Sequence, residues 1–300
     1  MSINKKMNFS IIGCGRTGIN LAVYLTKAGF TPTGFFSRSR SSAEKARRAV
    51  SNQGQIFDKA EDTCLNSEVL FITTPDDTIK DVCDYIASKN GFKKGMSVFH
   101  LSGALSSKIL TKAQTQHSSK TDVNIGSIHP LQSFTPYEKG QTSPFEGINI
   151  SGEGTQNAVA TGEKIVAALK ANYFAIPTEA KMLYHAAAVV ASNYLVTLEN
   201  FAINLFKQAD LSEQKAYEIL EPLIMGTLSN IKAKGSIEAL TGPIARGDSA
   251  IVSSHIKAIE KDTPKFAQLY KTMGKYTLDI AKQRKEITQD QIDKLSDLFN

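Results

Sequence analysis

Few side chains in this sequence are suited to acid–base chemistry, and they sit in informative places. His100 closes an apolar run in Phe99-His100-Leu101-Ser102-Gly103, and His129 closes another in Gly126-Ser127-Ile128-His129-Pro130-Leu131. Lys181 and His185 open a long apolar segment. At about 100° per residue on a helix, positions 185, 192 and 199 fall about 40°, 20° and 0° from Lys181. Lys181, His185, Ser192 and Glu199 therefore make one polar stripe, with Asn193 beside it. Polar groups buried without partners cost free energy, so such a stripe must line a cavity or meet another polar surface. Reduction of a carbonyl carbon needs a proton donor for its oxygen, and either Lys181 or His185 can supply it. Each histidine taken singly is as readily a structural residue bonded to a backbone carbonyl. Arg246, in the turn Gly242-Pro243-Ile244-Ala245-Arg246-Gly247-Asp248, can clamp a carboxylate or pair with Asp248 as a helix cap.

A second set of residues has the spacing of an anion-binding turn. Gly13-Cys14-Gly15-Arg16-Thr17-Gly18 follows an apolar run and precedes a helical pattern. Gly13 permits the tight turn, Gly15 lets backbone approach a pyrophosphate, and Gly18 lets helix pack closely on strand. The helix N-terminus adds free N–H groups and positive dipole. Past the next apolar run the chain reads Phe35-Phe36-Ser37-Arg38-Ser39-Arg40, with no acid to take a ribose 2′-hydroxyl. Arg38 can fork onto a 2′-phosphate, and Ser37 and Ser39 can donate to it. The expected cofactor is NADP(H), held by Gly13, Gly15, Arg16, Thr17, Gly18, Ser37, Arg38 and Ser39. Thr74 and Pro75, after the run Val69–Thr73, fall where the middle of the cofactor would pass, and Ser102 follows a further strand end. Asp76 or Asp77 can equally be a cap there. No metal site is expected.

The elements that must position these residues divide the chain in two. Candidate strands are Phe9–Ile12, Thr31–Phe36, Val69–Thr73, Ser97–His100, Asn124–His129, Ile148–Ser151 and Tyr173–Ile176. Candidate helices Ile19–Ala28, Ser42–Val50, Ile79–Ala87 and Gln156–Lys170 lie between them. Alternation of this kind predicts an α/β domain over 1–177 with a mainly parallel, doubly wound sheet. From Thr178 onward no strand pattern remains, so 178–300 is expected to be all-α. Thr178 and Ser212 are candidate caps, Thr263-Pro264 reads as a cap with proline at the first helical position, and Thr288 with Gln291 matches a capping box.

Composition narrows the classes further. The 300 residues are 41% hydrophobic and 21% charged, which excludes a disordered or fibrous chain. The net charge of +6 has no run of five like charges behind it, so no nucleic-acid partner is indicated. Three cysteines, Cys14, Cys64 and Cys83, make neither a disulfide framework nor a zinc knuckle, and a cytoplasmic location is expected. The apolar run after Lys5 and Lys6 stops at Gly13, too short for a signal-peptide core. Met182–Phe206 is long enough to be weighed as a membrane span. With His185, Ser192, Asn193, Asn200 and Asn204 inside it, it reads instead as a buried helix.

Five blocks together resemble a known family: GCGRTG, HLSGA at 100–104, IHPLQSF at 128–134, KMLYHAAAVVASNYLV at 181–196 and LTGPIARGD at 240–248. They are similar to the Rossmann-like proteins with a DUF2520 C-terminal domain, relatives of the 6-phosphogluconate dehydrogenase C-terminal-like superfamily. The resemblance implies an NADP-binding oxidoreductase, dimeric, with its active site between the domains. It also implies, through members similar to an alternative ketopantoate reductase, reduction of 2-dehydropantoate to pantoate in pantothenate synthesis. On that reading His185 or Lys181 protonates the product oxygen. His129, Ser192, Asn193 and Arg246 hold a small 2-oxo acid. The long helix would bury one face against a second subunit. The better-known ketopantoate reductases have Asn four residues after the lysine, where this chain has His185, and their Gln-Asn-Gly loop is absent here. GSIHPL also resembles the substrate loop of prephenate dehydrogenases, a second enzymatic reading. A non-catalytic NADP(H)-binding sensor is a third.

Overall fold

A computed structural model describes residues 7–115 and 122–300, so Lys5 and Lys6 lie outside the described residues. The chain divides into two compact units, Met1–Val190 and Ala191–Asn300. The division falls later than 177/178, because the helical turns that begin at Lys181 pack with the sheet.

Among the described residues, the first unit is built on eight strands: β1 (Asn8–Ile12), β2 (Thr31–Phe36), β3 (Gln55–Ile56), β4 (Val69–Ile72), β5 (Ser97–His100), β6 (Asn124–Pro130), β7 (Asn149–Gly154) and β8 (Asn172–Ala175). They lie in the order β3-β2-β1-β4-β5-β6-β7-β8. Every pairing is parallel except β6 with β7. Strand order reverses at β1, and the crevice between β1 and β4 is the switch point at which open α/β sheets take ligands. β4 reads Val69-Leu70-Phe71-Ile72 and is buried throughout, as a strand covered on both faces must be. Helices α1 (Arg16–Lys27), α2 (Arg40–Ala49), α3 (Asp76–Ser88) and α4 (Gln156–Ala168) supply that cover. One apolar cluster holds Phe9, Leu21, Phe35, Phe71 and Phe99, and the other holds Ile12, Leu70, Ile79, Ile86 and Val98.

The two-residue strand β3 was not foreseen. Its Gln55-Ile56 is too short to show a period, and it pairs only with Gly34 and Phe35. The long segment after the sheet also departs from expectation. A short 3-10 turn, Thr178–Ala180, leads into α5 (Lys181–Val189), then a π-helical stretch, Val190–Tyr194, then α6 (Leu195–Lys207). The π stretch interrupts the 100° period, so the stripe assumed from Lys181 to Glu199 does not run unbroken. Nor is the segment buried. Met182 is 63% exposed, Leu183 79% and Val196 69%. By length and composition it is the one helix among the described residues apolar enough to cross a membrane, with mean hydropathy 1.3. Lys181, at the start of α5, is instead buried and bonded to Ser127 of β6.

The second unit is helical: α6, α7 (Glu213–Glu238), α8 (Ser249–Asp262), α9 (Ala267–Arg284) and α10 (Gln289–Phe299). Its core joins Val252, Ile256, Leu278, Leu295 and Phe299. Ser212 caps α7 by accepting from the Lys215 amide, and Asp248 caps α8 by accepting from Ile251. α7 carries Pro222 inside and leaves helical geometry at Gly235, where φ is +80°. Thr288 and Gln291 form the expected capping box. Thr263 does not cap with its hydroxyl, which donates to the Ile259 carbonyl, although Pro264 follows as expected.

Candidate active site

The glycine-rich turn leaves β1 and opens α1. Gly13 sits at φ +97°, where a side chain would strain the backbone, and its amide donates to the Phe36 carbonyl. A Cβ on Gly18 would press on the Gly13 carbonyl and come within 2.6 Å of Thr73 Oγ1, so only glycine lets α1 sit this close to β1 and β4. A Cβ on Gly15 would meet nothing within 4 Å. That open side faces a cleft of about 400 Å³ lined by Gly13, Cys14, Gly15, Ser37, Arg38, Ser39, Thr73, Thr74 and Pro75. The Thr74 hydroxyl is buried there without a hydrogen-bond partner among the described residues. An orphaned hydroxyl, an open glycine face and the first turn of α1 together suit a dinucleotide whose pyrophosphate lies over the turn. Arg16 and Thr17 form that first turn, with Arg16 exposed. Arg38 is exposed and in no ion pair among the described residues, whereas Arg40 is paired with Asp58 and Glu44. Cys14 is sealed in the wall, its thiol against the Phe36 carbonyl, and burial pushes that thiol up to about 12.

A polar rank crosses the sheet beside this cleft. His100 on β5 is the register partner of Ser127 on β6, and Ser127 is the partner of Glu153 on β7. Register partners project to one face, so the three side chains stand in a row. Lys181, only 2% exposed, caps the row: its Nζ donates to Ser127 Oγ at 2.5 Å and to the Ser102 carbonyl at 2.8 Å. Ser102 joins the row to the cleft, because its hydroxyl donates to Asp76 Oδ2 at 2.6 Å and Asp76 directly follows Pro75. That hydroxyl also receives the amides of Ala104 and Leu105, so Ser102 belongs to the lysine cluster rather than to the cleft lining.

The electrostatics of the cluster follow from burial. Burial lowers Lys181 to about 8, against the upward pull of Glu153 and then Asp76. Burial, and then the Lys181 charge, lowers His100 to about 3 and His129 to about 4. Both imidazoles are therefore neutral at pH 7. His100 Nδ1 accepts from the Ser102 amide at 3.2 Å, which places its proton on Nε2. His129 was expected to position a carboxylate. Neutral, it offers a hydrogen bond rather than a charge, and its Nδ1 already meets the Tyr184 hydroxyl at 2.9 Å.

His129 and His185 stand with ring centroids 5.9 Å apart, nearly perpendicular. Both close on Gly103, where a Cβ would come within 2.6 Å of His185 Nδ1 and 2.8 Å of His129 Nε2. His185 Nδ1 is buried with no hydrogen-bond partner among the described residues. Lys181 thus lies close to His100 and His129, and His129 to His185. Ser192, Asn193 and Arg246 lie in the second unit and are exposed there. Asp248 takes the cap role, and Arg246 has no ion-pair partner among the described residues.

Glu153, Ser127, Gly103 and Tyr184 were missed. Glu153 accepts from the Ser107 amide at 2.6 Å, the Ser107 hydroxyl at 2.7 Å and the Thr178 hydroxyl at 3.0 Å. Thr178 therefore binds this carboxylate instead of capping a helix. The available signal was Ser151-Gly152-Glu153-Gly154, an acid inside a strand pattern, which calls for a buried partner.

Two family models match in tandem: a Rossmann-like domain over residues 3–120, and a domain of unknown function, DUF2520, over 148–277. The second match starts at the β7–β8 edge of the sheet and runs on into the helical unit. No curated protein matches the chain. Among solved structures, a candidate NADP oxidoreductase of Bacteroides fragilis is similar, with TM-score 0.73, 20% identity, 91% of this chain and 98% of that chain covered. Protein TM1727 of Thermotoga maritima has TM-score 0.68 and 26% identity over 92% of this chain and 99% of that one. A pyrroline carboxylate reductase of Plasmodium falciparum, solved with NADP bound, has TM-score 0.56 and 12% identity, with 98% of each chain covered.

Proposed function

We propose, from the premise that this chain joins a Rossmann-like domain to a DUF2520 domain, that it is an NADP(H)-dependent reductase of a small 2-oxo acid, 2-dehydropantoate being the specific substrate. The observation that carries the reading is Lys181. A buried ammonium at the carboxyl end of β5 and beside the middle of β6, lowered to about 8, remains mostly protonated at neutral pH yet gives its proton more readily than an ordinary lysine.

NADP(H), when bound, supplies or accepts the hydride. Gly13, Gly15 and the first turn of α1 would hold its pyrophosphate, Ser37, Arg38 and Ser39 its 2′-phosphate, and Thr74 and Pro75 its middle. Lys181 delivers a proton to the developing alkoxide. His185, one turn along α5, and neutral His129 orient the oxygen by hydrogen bonding. Ser127 and the Ser102 carbonyl keep the ammonium aimed. On the second unit, exposed Arg246 offers a guanidinium of the kind that binds a carboxylate. The protein acts as a cytoplasmic homodimer. Exposed Leu183, Val196 and Leu223 (79%, 69% and 68%) are the kind of apolar surface that a second copy would cover.

The test is loss of NADPH absorbance with purified protein and 2-dehydropantoate, beside prephenate and pyrroline carboxylate. Saturable oxidation with 2-dehydropantoate alone supports the reading. Oxidation with pyrroline carboxylate alone would move the chemistry to a C=N bond. Tight NADPH binding without turnover on any of them would leave only the cofactor assignment.

A further inference from the structure

Glu153 is the one carboxylate in the buried rank, 5% exposed, and no step above uses it. Its position is unusual in what it ties together. Ser107 lies five residues past Ser102, whose carbonyl receives Lys181, and Thr178 lies three residues before Lys181. Both are bonded to the same carboxylate. Glu153 is also the register partner of Ser127, the other acceptor of the Lys181 ammonium. One side chain therefore fixes the loop that supplies one acceptor, neighbours the strand residue that supplies the other, and anchors the chain just before the lysine.

We propose that Glu153 is the positioning residue of the site, a buried counter-charge that holds Lys181 in place and keeps it protonated over the neutral range. This rests on the reading of Lys181 as the proton donor. Around Lys181 stand Ser127 and the Ser102 carbonyl as hydrogen-bond acceptors, the charges of Glu153 from β7 and Asp76 from α3, and the imidazoles of His100 from β5 and His129 from β6, with Tyr184 and His185 following it on its own helix. Only Glu153 and Asp76 among these are carboxylates. Asp76 is solvent-exposed, so its field is screened more than that of Glu153. Two neutral imidazoles supply no compensating charge, and burial by itself favours the neutral amine of Lys181.

The experiment is a titration of the full chain labelled with ¹⁵N-lysine, with the Lys181 Nζ signal assigned by its loss in Lys181→Arg. The wild-type signal is expected to titrate near 8. In Glu153→Gln the amide oxygen still accepts from Ser107, but the charge is gone. Lys181 is then expected to titrate about one unit lower, a tenfold change in its protonated ratio. A folded Glu153→Gln protein with an unshifted Lys181 would overturn the proposal, since a purely structural latch survives this substitution. If Glu153→Gln does not fold, Thr178→Val cuts one bond of the latch and leaves the charge. Hydrogen exchange at the start of α5 should then rise at least tenfold, and unchanged exchange would overturn the proposal. Neither measurement needs substrate or cofactor. Should Lys181 shift while the alkaline limb of the turnover profile stays fixed, Glu153 keeps its role and Lys181 loses its place as proton donor.

Discussion

Acid should weaken the sheet unit as the pH falls through the ordinary histidine range. His100 and His129 are held neutral in the fold, at about 3 and about 4, while an unfolded histidine titrates near 6.5. Because the folded values lie below the unfolded one, the unfolded chain binds more protons as pH falls through 6.5. The stabilisation present above pH 6.5 is lost on the way down to the folded pKa. For His129 the loss at pH 5 is RT ln[(1 + 10^1.5)/(1 + 10^−1)], about 2 kcal/mol, and for His100 it is about 2 kcal/mol again. Together, about 4 kcal/mol disappears between pH 7 and pH 5, a large share of a typical domain stability of roughly 5–15 kcal/mol. His129→Asn keeps a polar atom near Tyr184 but cannot titrate, so its loss over the same interval should be about half that of the wild type. The assay is urea unfolding at both pH values, followed by hydrogen exchange in peptides from β5 and β6 so that the sheet unit is read by itself. Equal losses in wild type and His129→Asn would refute the reasoning.

Other substitutions probe the remaining parts. Arg38→Ala should weaken NADPH binding by about tenfold to a hundredfold, the worth of a charge-assisted phosphate contact, and leave NADH binding nearly unchanged. Direct titration of both nucleotides checks this, and a native preference for NADH would sink it. Gly103→Ala places a methyl between His129 and His185, so kcat/KM should fall at least tenfold while NADPH affinity holds; an unaffected rate would remove the imidazole pair from the reaction. Thr288→Ala removes the hydroxyl half of the capping box, which accepts from the Gln291 amide, and should cost the helical unit about 1 kcal/mol by thermal unfolding.

How much was legible in advance depended on how local each signal was. The glycine turn, the strands flanking it and the Thr288 capping box are written in contiguous residues, and each was found where the sequence placed it. Lys181 and His185 were visible as polar residues on an apolar helix. Glu153, Ser127 and Gly103 were not, because their importance lies in register. Ser127 matters by standing opposite Glu153, and Gly103 by what its missing Cβ allows two imidazoles to do. Thr178 shows the same limit from the other side: a good cap residue in the right place, it was taken by a carboxylate 25 residues away in sequence. The π-helical stretch at Val190–Tyr194 has no compositional mark, so a stripe drawn at constant pitch carried past it unnoticed.

Cys14 gives the cofactor cleft a reporter of its own. A thiol raised to about 12 is thiolate only about once in 10⁵ molecules at pH 7, so alkylating reagents meet an inert residue while the turn is closed. The same thiol lies in the wall that the dinucleotide would cover. Its rate of modification therefore counts openings of the Gly13–Gly18 turn. Cys64 and Cys83, buried deep and raised equally, tick only when the whole sheet unit comes apart. Three unreactive cysteines become two clocks, one for the breathing of a loop and one for the life of the fold.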